Sequence, residues 1–459
     1  MTIKIANGAG FLGDNIDAPR LLVESAQVDY LTLEYLAELT MSILARQREK
    51  NPEAGYAVDF LDVLKSLLPA LKAQPQLKIV TNAGGVNPLA CTAAVGKILH
   101  AAGLSETQIG VITGDNLLPR LDELRAVGCD FKNLDTGQPL EEISQSVVSA
   151  NAYLGAQPIA ETLAGGARIV ITGRVADASL TVGPAMHQLQ RRWDDWNFLA
   201  GISVAGHLIE CGAQVTGGLY RHWQNLDLAN VGYPIAEIND DGSCVITKPS
   251  GTGGAVNRNT VIEQLVYEIG DPAHYLTPDV DVDFTTIEVD QAGTDRVIVC
   301  GATGRPAPTS YKVSLAYQAG FIANGQLLVY GADCIAKAQA CGKMILQRVE
   351  RANFKLQETL IECLGTGDGV PVHGSGVKES ARKEVLLRVS VRDDCRDAVE
   401  RFTKEFAPLI TSGPPGVAGY ATGRPQVRPV FAYWPTLVPK TFVTPTVCIK
   451  AAGKWNAIR

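Results

Sequence analysis

The stretch IVITGRVADASLTVGP, residues 169–184, decides how the chain is read. Three apolar residues in a row, then Thr172, mark a strand buried on both faces. Gly173, Arg174 and Asp177 follow at once, and then a helix-forming segment begins. A bare turn would need only the glycine. A guanidinium and a carboxylate at the end of a buried strand point to a ligand or to an internal ion pair.

The same arrangement recurs upstream. TIKIANG (2–8), VDYLTLEYL (28–36), LKIVTNAGG (77–85) and IGVITGD (109–115) are apolar runs that end in Asn, Glu, Gly or Asp. Helix-like segments separate them: AELTMSILARQREK, FLDVLKSLLPALKA with a stop or kink expected at Pro69, LACTAAVGKILHAAG and LLPRLDELRAVG. ANAYLGAQPIAETLAGG reads as one more helix feeding the strand at 169. Continuous apolar strands alternating with helices predict an α/β fold, with a mainly parallel sheet and helices on both faces in an N-terminal domain, residues 1–275.

Beyond residue 275 the texture changes. VDFTTIEVDQAGTDRVIVCGATG and YKVSLAYQAGFIANGQLLVYG read as hairpins of an antiparallel sheet, and ADCIAKAQACGKMILQRVERANF as a helix. A smaller α+β C-terminal domain, residues 276–459, is the expectation. SGPPGVAGYATGRPQVRP (412–429) is rich in Gly and Pro yet carries Tyr and Arg, and reads as a structured loop.

In 459 residues, 46% are apolar and 19% charged, which fits a globular protein with a large core. The net charge of -7 disfavours nucleic acid or an anionic membrane as a partner held by general electrostatics. Ten scattered cysteines form no CxxC pair and no zinc spacing. MTIKIANGAGFLGD lacks a charged-then-apolar leader, and no apolar run approaches the ~20 residues of a membrane span. Cytoplasmic localisation with reduced thiols is expected.

In an open parallel sheet, ligands bind outside the carboxyl ends of the strands. The residues expected there are Asn7, Gly8, Gly10, Asp14, Glu34, Asn82, Gly84, Gly85, Asp115, Arg174 and Asp177. NGAGFLGD has the glycine spacing of a dinucleotide fingerprint, but Asp14 would repel a pyrophosphate, so NAD and FAD are not expected. Gly84 and Gly85 precede a helix whose amides would favour an anion. Arg174 is expected to hold a substrate carboxylate through two parallel hydrogen bonds, with an internal pair to Asp177 as the alternative. Within GHLIECGAQVTGG (206–218), helical spacing puts His207, Glu210 and Cys211 on one face, where a base and an acid or nucleophile would meet. Lys248, Gly251, Thr252, Gly253 and Gly254 precede another helix and suit a phosphate. His373, Gly374, Ser375, Gly376 and Lys378 form a weaker version of that pattern.

Taken together, NGAGFLGD, VDYLTLEYLAELTMSILARQR, TNAGGVNP, ITGRVADASLTVGP, GHLIECGAQVTGG, TKPSGTGG with EQLVYEIGDP, and SGPPGVAGYATGRP occur in an order that resembles the acyclic terpene utilisation (AtuA-like) family. The resemblance runs from residue 3 to about 440. It implies a catabolic role on citronellol- or geraniol-type acids, whose intermediates are acyl-CoA thioesters. Longer members carry a further small C-terminal domain, which a separate subunit would supply here. The expected ligand is a small carboxylate or acyl-CoA, and a homo-oligomer is expected on general frequency.

The reading favoured is an enzyme with hydratase, lyase or isomerase chemistry on a branched acid or acyl-CoA. Asp14, Asp115 and Asp177 would serve as base or metal ligand, Asn82 would stabilise an enolate-like oxygen, and His207 or Glu210 would be the general acid. Mg²⁺ polarising a carbonyl would assist such a step. The alternatives are a non-catalytic acyl-CoA-binding subunit of a partner enzyme and a phosphate- or nucleotide-handling enzyme.

Overall fold

The computed structural model describes residues 2–369, 383–419 and 423–455. His373, Gly374, Ser375, Gly376, Lys378 and part of the 412–429 loop lie outside the described residues. The chain divides into two compact units, Met1–Ala316 with Tyr433–Arg459, and Tyr317–Ala432.

The first unit is built on a ten-stranded sheet. Its centre comprises β1 (Thr2–Asn7), β2 (Tyr30–Leu33), β3 (Lys78–Thr81), β4 (Gln108–Thr113) and β6 (Ile169–Thr172), while β5 (Val147–Ala152) lies off this sheet. The central strands run in the order β1-β2-β3-β6-β4, all parallel, with Tyr30 opposite Lys78 and Ile169 opposite both Ile79 and Ile109. Helices Ala18–Ser25, Asp59–Ala73 and Pro88–Ala101 share a core with Leu31, Leu33, Ile79, Ile169 and Ile171. Helices Ser179–Leu189 and Trp196–Glu210 pack together along β1. β2 and β6 are buried at every position, as continuous apolar runs require.

The sheet is more mixed than the sequence suggests. β7 (Ile235–Asn239) and β8 (Cys244–Thr247) join antiparallel beside β1, and the hairpin Glu288–Gly293/Arg296–Cys300 extends that edge. Thr446–Ala451 closes the other edge antiparallel to β4. A four-residue connection between β7 and β8 leaves no room for a crossover, so antiparallel pairing is forced. Of the strands after residue 275, Glu288–Gly293, Arg296–Cys300 and Thr446–Ala451 continue the first sheet, while others form separate antiparallel sheets.

Three local expectations also change. Residues 147–152 are strand, not helix: Ala152 N donates to Asp115 O at 2.8 Å, and the helix begins only at Gln157. The helix Asp59–Ala73 continues through Pro69. YKVSLAYQAGFIANGQLLVY is one strand, Ser310–Tyr330; Asn324 and Gly325, which look like a turn, pair with Ser390 and Val389. Gly325 is needed there because a Cβ would lie 2.3 Å from the Phe406 ring.

The second unit is an antiparallel sheet that pairs Phe321–Tyr330 with Glu384–Asp393, and the latter with Glu358–Leu364. Helix Cys334–Arg351 buries Ala338, Cys341, Ile345 and Val349 at helical spacing, in one core with Leu387, Val389, Phe402 and Phe406.

The turn after β6 is closely packed. A Cβ on Gly173 would lie 2.5 and 2.6 Å from the two carboxylate oxygens of Asp115. Gly173→Ala should therefore cost about 1–3 kcal/mol of stability by overpacking. Gly270→Ala, where nothing lies within 4 Å, should stay within about 0.5 kcal/mol. Chemical denaturation of the two variants checks this, and equal midpoints would contradict it.

Candidate functional site

The strand order aligns five polar residues along one rim: Asn7 at the end of β1, then Glu34, Asn82, Arg174 and Asp115 just past β2, β3, β6 and β4. All five are buried, at 0–4% exposure. Burying that many polar groups is tolerable only if they satisfy one another, and hydrogen bonds tie each to a neighbouring element. Asn82 Nδ2 donates to Glu34 Oε1, and its Oδ1 accepts from Tyr35 N at 2.8 Å. Asp115 Oδ2 accepts from Arg174 N at 2.9 Å and from Asn151 Nδ2 at 2.8 Å. Asn7 Nδ2 donates to the carbonyls of Ile209 and Glu210 at 2.7 and 3.0 Å. Asn7 thereby caps the C-terminus of helix Trp196–Glu210 and brings its last turn to the rim.

Arg174 lies at the middle. Nη1 donates to Asp177 Oδ1 at 2.6 Å and to Leu36 O at 3.1 Å, and stands 3.9 Å from Glu34 Oε1. The guanidinium lies 4.1 Å from the centre of the Tyr153 ring. Tyr153 OH donates to Glu38 Oε1 at 2.5 Å, and Lys312 Nζ lies 3.5 Å from the same oxygen and 4.8 Å from the ring centre. With a side chain 2% exposed, Arg174 makes the internal pair with Asp177 that was the alternative to gripping a substrate carboxylate.

Burial raises the pKa of Glu34 well above the carboxylate range, and the nearby Asp177 charge adds to it. Burial also raises Asp177, against the pull of Arg174. Burial pushes Asp115 up to about 6 despite the amides that it accepts from. Asp177 is the exposed member of the group, with 36% of its side chain open.

The second half of the site is the last turn of helix Trp196–Glu210. GHLIEC closes this helix instead of starting one, with Cys211 as its C-cap residue. His207 Nε2 lies 3.0 Å from Gln264 O, and Nδ1 lies 3.2 Å from Glu210 Oε1. A carbonyl only accepts, so Nε2 carries hydrogen. Nδ1 and Glu210 then share a further proton, held on one side or the other. Burial pushes Glu210 up to about 7, with Asp177 adding to the rise and His207 opposing it. Burial would lower His207, but the bond and charge of Glu210 outweigh it and raise the imidazole. Tyr275 and Phe284 pack against its ring at 5.7 and 5.8 Å. Cys211 is not a ready nucleophile, because burial and Glu210 push its thiol up to about 12.

Buried polar atoms without a hydrogen-bond partner are rare in folded proteins, and each calls for a cause. Ten side-chain atoms of this kind occur among the described residues, and six belong to this region: Glu34 Oε2, Tyr35 Oη, Asn151 Oδ1, Arg174 Nε, Glu210 Oε2 and Gln264 Oε1. The cluster is built to receive further polar atoms.

The match of the family model for the acyclic terpene utilisation family protein AtuA spans residues 3–449. The chain belongs to the AtuA family. No curated protein and no solved structure matches the chain. Membership is consistent with a catabolic role. Among the described residues, no helix is long and apolar enough to cross a membrane.

Other residues expected at the site make structural contacts. Asp14 accepts from Gly10 N, Asn15 N and Tyr233 OH, which folds the NGAGFLGD loop on itself. Gly10 is pressed on the backbone of Cys211, where a Cβ would lie 2.6 Å from its carbonyl carbon, and Gly8 lies against Pro19. At Gly84 a Cβ would meet Thr172 O at 2.4 Å, and Gly85 has a φ of +53°. Each of these glycines is required by close packing or by its backbone conformation. Among the described residues, no group of three or more His, Cys, Asp or Glu side chains is placed to hold a metal ion.

Lys248 pairs with Asp295 at 3.0 Å and donates to Thr252 O at 2.8 Å. The amides of Gly253 and Gly254 donate to Asn230 O and Asp227 O, and Gly251 has a φ of +79°. This loop is an internal clamp, with its amides spent on backbone carbonyls instead of a phosphate.

Sequence reasoning missed Glu38, Asn151, Tyr153, Gln264, Tyr275 and Lys312. Asn151 and Tyr153 were hidden by reading their strand as a helix, and Lys312 by reading its strand as a hairpin. Glu34 was visible as the acidic residue that ends the second strand.

Arg174→Ala would leave Glu34 and Asp177 without their cation inside the fold. It should cost about 3–5 kcal/mol, the range for a broken buried pair. Urea denaturation monitored by circular dichroism measures this. A variant as stable as wild type would show that the guanidinium is not a structural centre.

Proposed function

We propose that the chain is a catabolic enzyme that moves a proton on a branched carboxylic acid or its acyl-CoA thioester, in a hydration, dehydration or isomerisation step. Glu210 is the proton donor and acceptor in this reading. The observation that carries it is the coincidence of a carboxyl poised near pH 7 with the cluster of unpartnered buried polar atoms at one sheet rim. A general acid–base group works best with a pKa near the working pH, and such perturbed groups gather at functional sites.

His207 Nδ1 shares a proton with Glu210, and the bond of Nε2 to Gln264 O fixes the ring in orientation. Asp177, with 36% of its side chain open, is the second carboxyl within electrostatic reach of Glu210. Arg174 and Glu34 position Asp177 and keep the cluster near neutrality. The apolar flank supplied by Tyr275 and Phe284 suits a branched hydrocarbon chain. Cytoplasmic placement agrees with the lack of any disulfide among the described residues.

The test is turnover of branched unsaturated acids and their CoA thioesters by wild type and by Glu210→Gln. The substitution keeps shape and removes the proton, and kcat should fall about 10²–10⁴-fold, the usual worth of a general acid or base. If the protonated form is the active one, wild-type kcat/KM falls as pH rises through about 7. Unchanged kcat in the variant would reject Glu210 as the proton carrier.

A further inference from the structure

A second place in the molecule lies wholly inside the unit Tyr317–Ala432 and has no part in the chemistry above. Helix Cys334–Arg351 ends with Arg348 and Arg351 three residues apart. Helix Arg396–Thr403 ends with Arg401, and Lys404 is its C-cap residue. The two helices pack together, and these four cations line one open groove of about 530 Å³ with Ala352, Glu405 and Pro408.

The charge balance there is one-sided. Glu405, with a side chain 7% exposed, lies 2.6 Å from Arg401 and 3.9 Å from Arg348, and it is the only carboxylate lining the groove. Arg348 also donates to Ser412 Oγ at 2.9 Å. Arg351 and Lys404 are exposed, and their side chains have no partner among the described residues. Arg401 Nε is buried and unpartnered. Basic residues in a last helical turn ordinarily answer the helix dipole, which is worth about half a negative charge at each C-terminus. Four cations, set against one carboxylate and two such termini, leave roughly two positive charges uncompensated. That surplus stands in a chain whose net charge is -7.

We propose that this groove binds a dianionic phosphate group, free or as a phosphomonoester. The surplus of about two charges matches a phosphomonoester, which carries about −1.5 to −2 at pH 7. Arginine forks suit phosphate oxygens, with two parallel N–H···O bonds from each guanidinium. Arg348 and Arg401 are held in place by Glu405, so the site is partly preorganised, while Arg351 and Lys404 close on the ligand.

Isothermal titration of the full chain with phenyl phosphate and with inorganic phosphate tests this, beside the Arg351→Gln/Lys404→Gln double variant. Both substitutions are on the surface and should leave the melting temperature nearly unchanged. Wild type should bind either probe, more tightly as pH rises through about 6 and the second phosphate proton leaves. The double variant should bind at least tenfold more weakly. Equal binding by the folded double variant, or no heat from either probe at millimolar concentration with wild type, would overturn the proposal. Neither result bears on Glu210, since no residue of the groove belongs to the first unit.

Discussion

The contact on which the rim depends is the bond between the Arg174 guanidinium and Asp177, made inside the fold with Glu34 only slightly farther away. A cation this deeply buried must be paired. Here one cation faces two acids, at 2.6 and 3.9 Å. It cannot neutralise both. Asp177 takes the short bond, and Glu34 retains its proton more readily than a free carboxyl does. The backbone amide of the same arginine is held by Asp115, which also binds Asn151. A single residue thus links the ends of β4 and β6, the strand Val147–Ala152, and the backbone after β2.

That geometry explains why acids collect here with raised pKa values. Glu34, Asp115, Asp177 and Glu210 are each pushed up, and burial is the first cause in every case. Each of these carboxyls takes up a proton more readily than a free one does. Glu210 differs from the other three in sharing its proton with an imidazole whose second nitrogen is fixed by a backbone carbonyl. Its position at a helix C-terminus, where the dipole disfavours negative charge, works in the same direction.

Much of this was legible in the sequence because a buried parallel strand has a loud signal. Runs such as IVIT and GVIT admit few other readings, and the residue after each run falls on the ligand-binding edge by the topology of the fold. Asn7, Glu34, Asn82, Asp115 and Arg174 could therefore be placed together. Their partners could not. Whether Arg174 faces outward or inward depends on Leu36 O and the Tyr153 ring, which sequence spacing does not reveal. The glycine loops misled for a related reason. Gly84 and Gly10 answer to neighbouring backbone, and a glycine required by packing looks the same in sequence as one required by a ligand. The edges of the sheet were illegible because short strands such as β7, β8 and Thr446–Ala451 carry no mark in sequence of which strand they pair with or in which direction.

The account depends most on the protonation of Glu210 in the folded chain. A carbon-detected NMR titration of the glutamate side-chain carboxyls, with Glu210 assigned from the Glu210→Gln spectrum, measures it directly. The account predicts a midpoint near 7 for Glu210, shifted in a His207→Gln variant. A midpoint in the ordinary carboxylate range, near 4.3, with no response to His207→Gln, would contradict it.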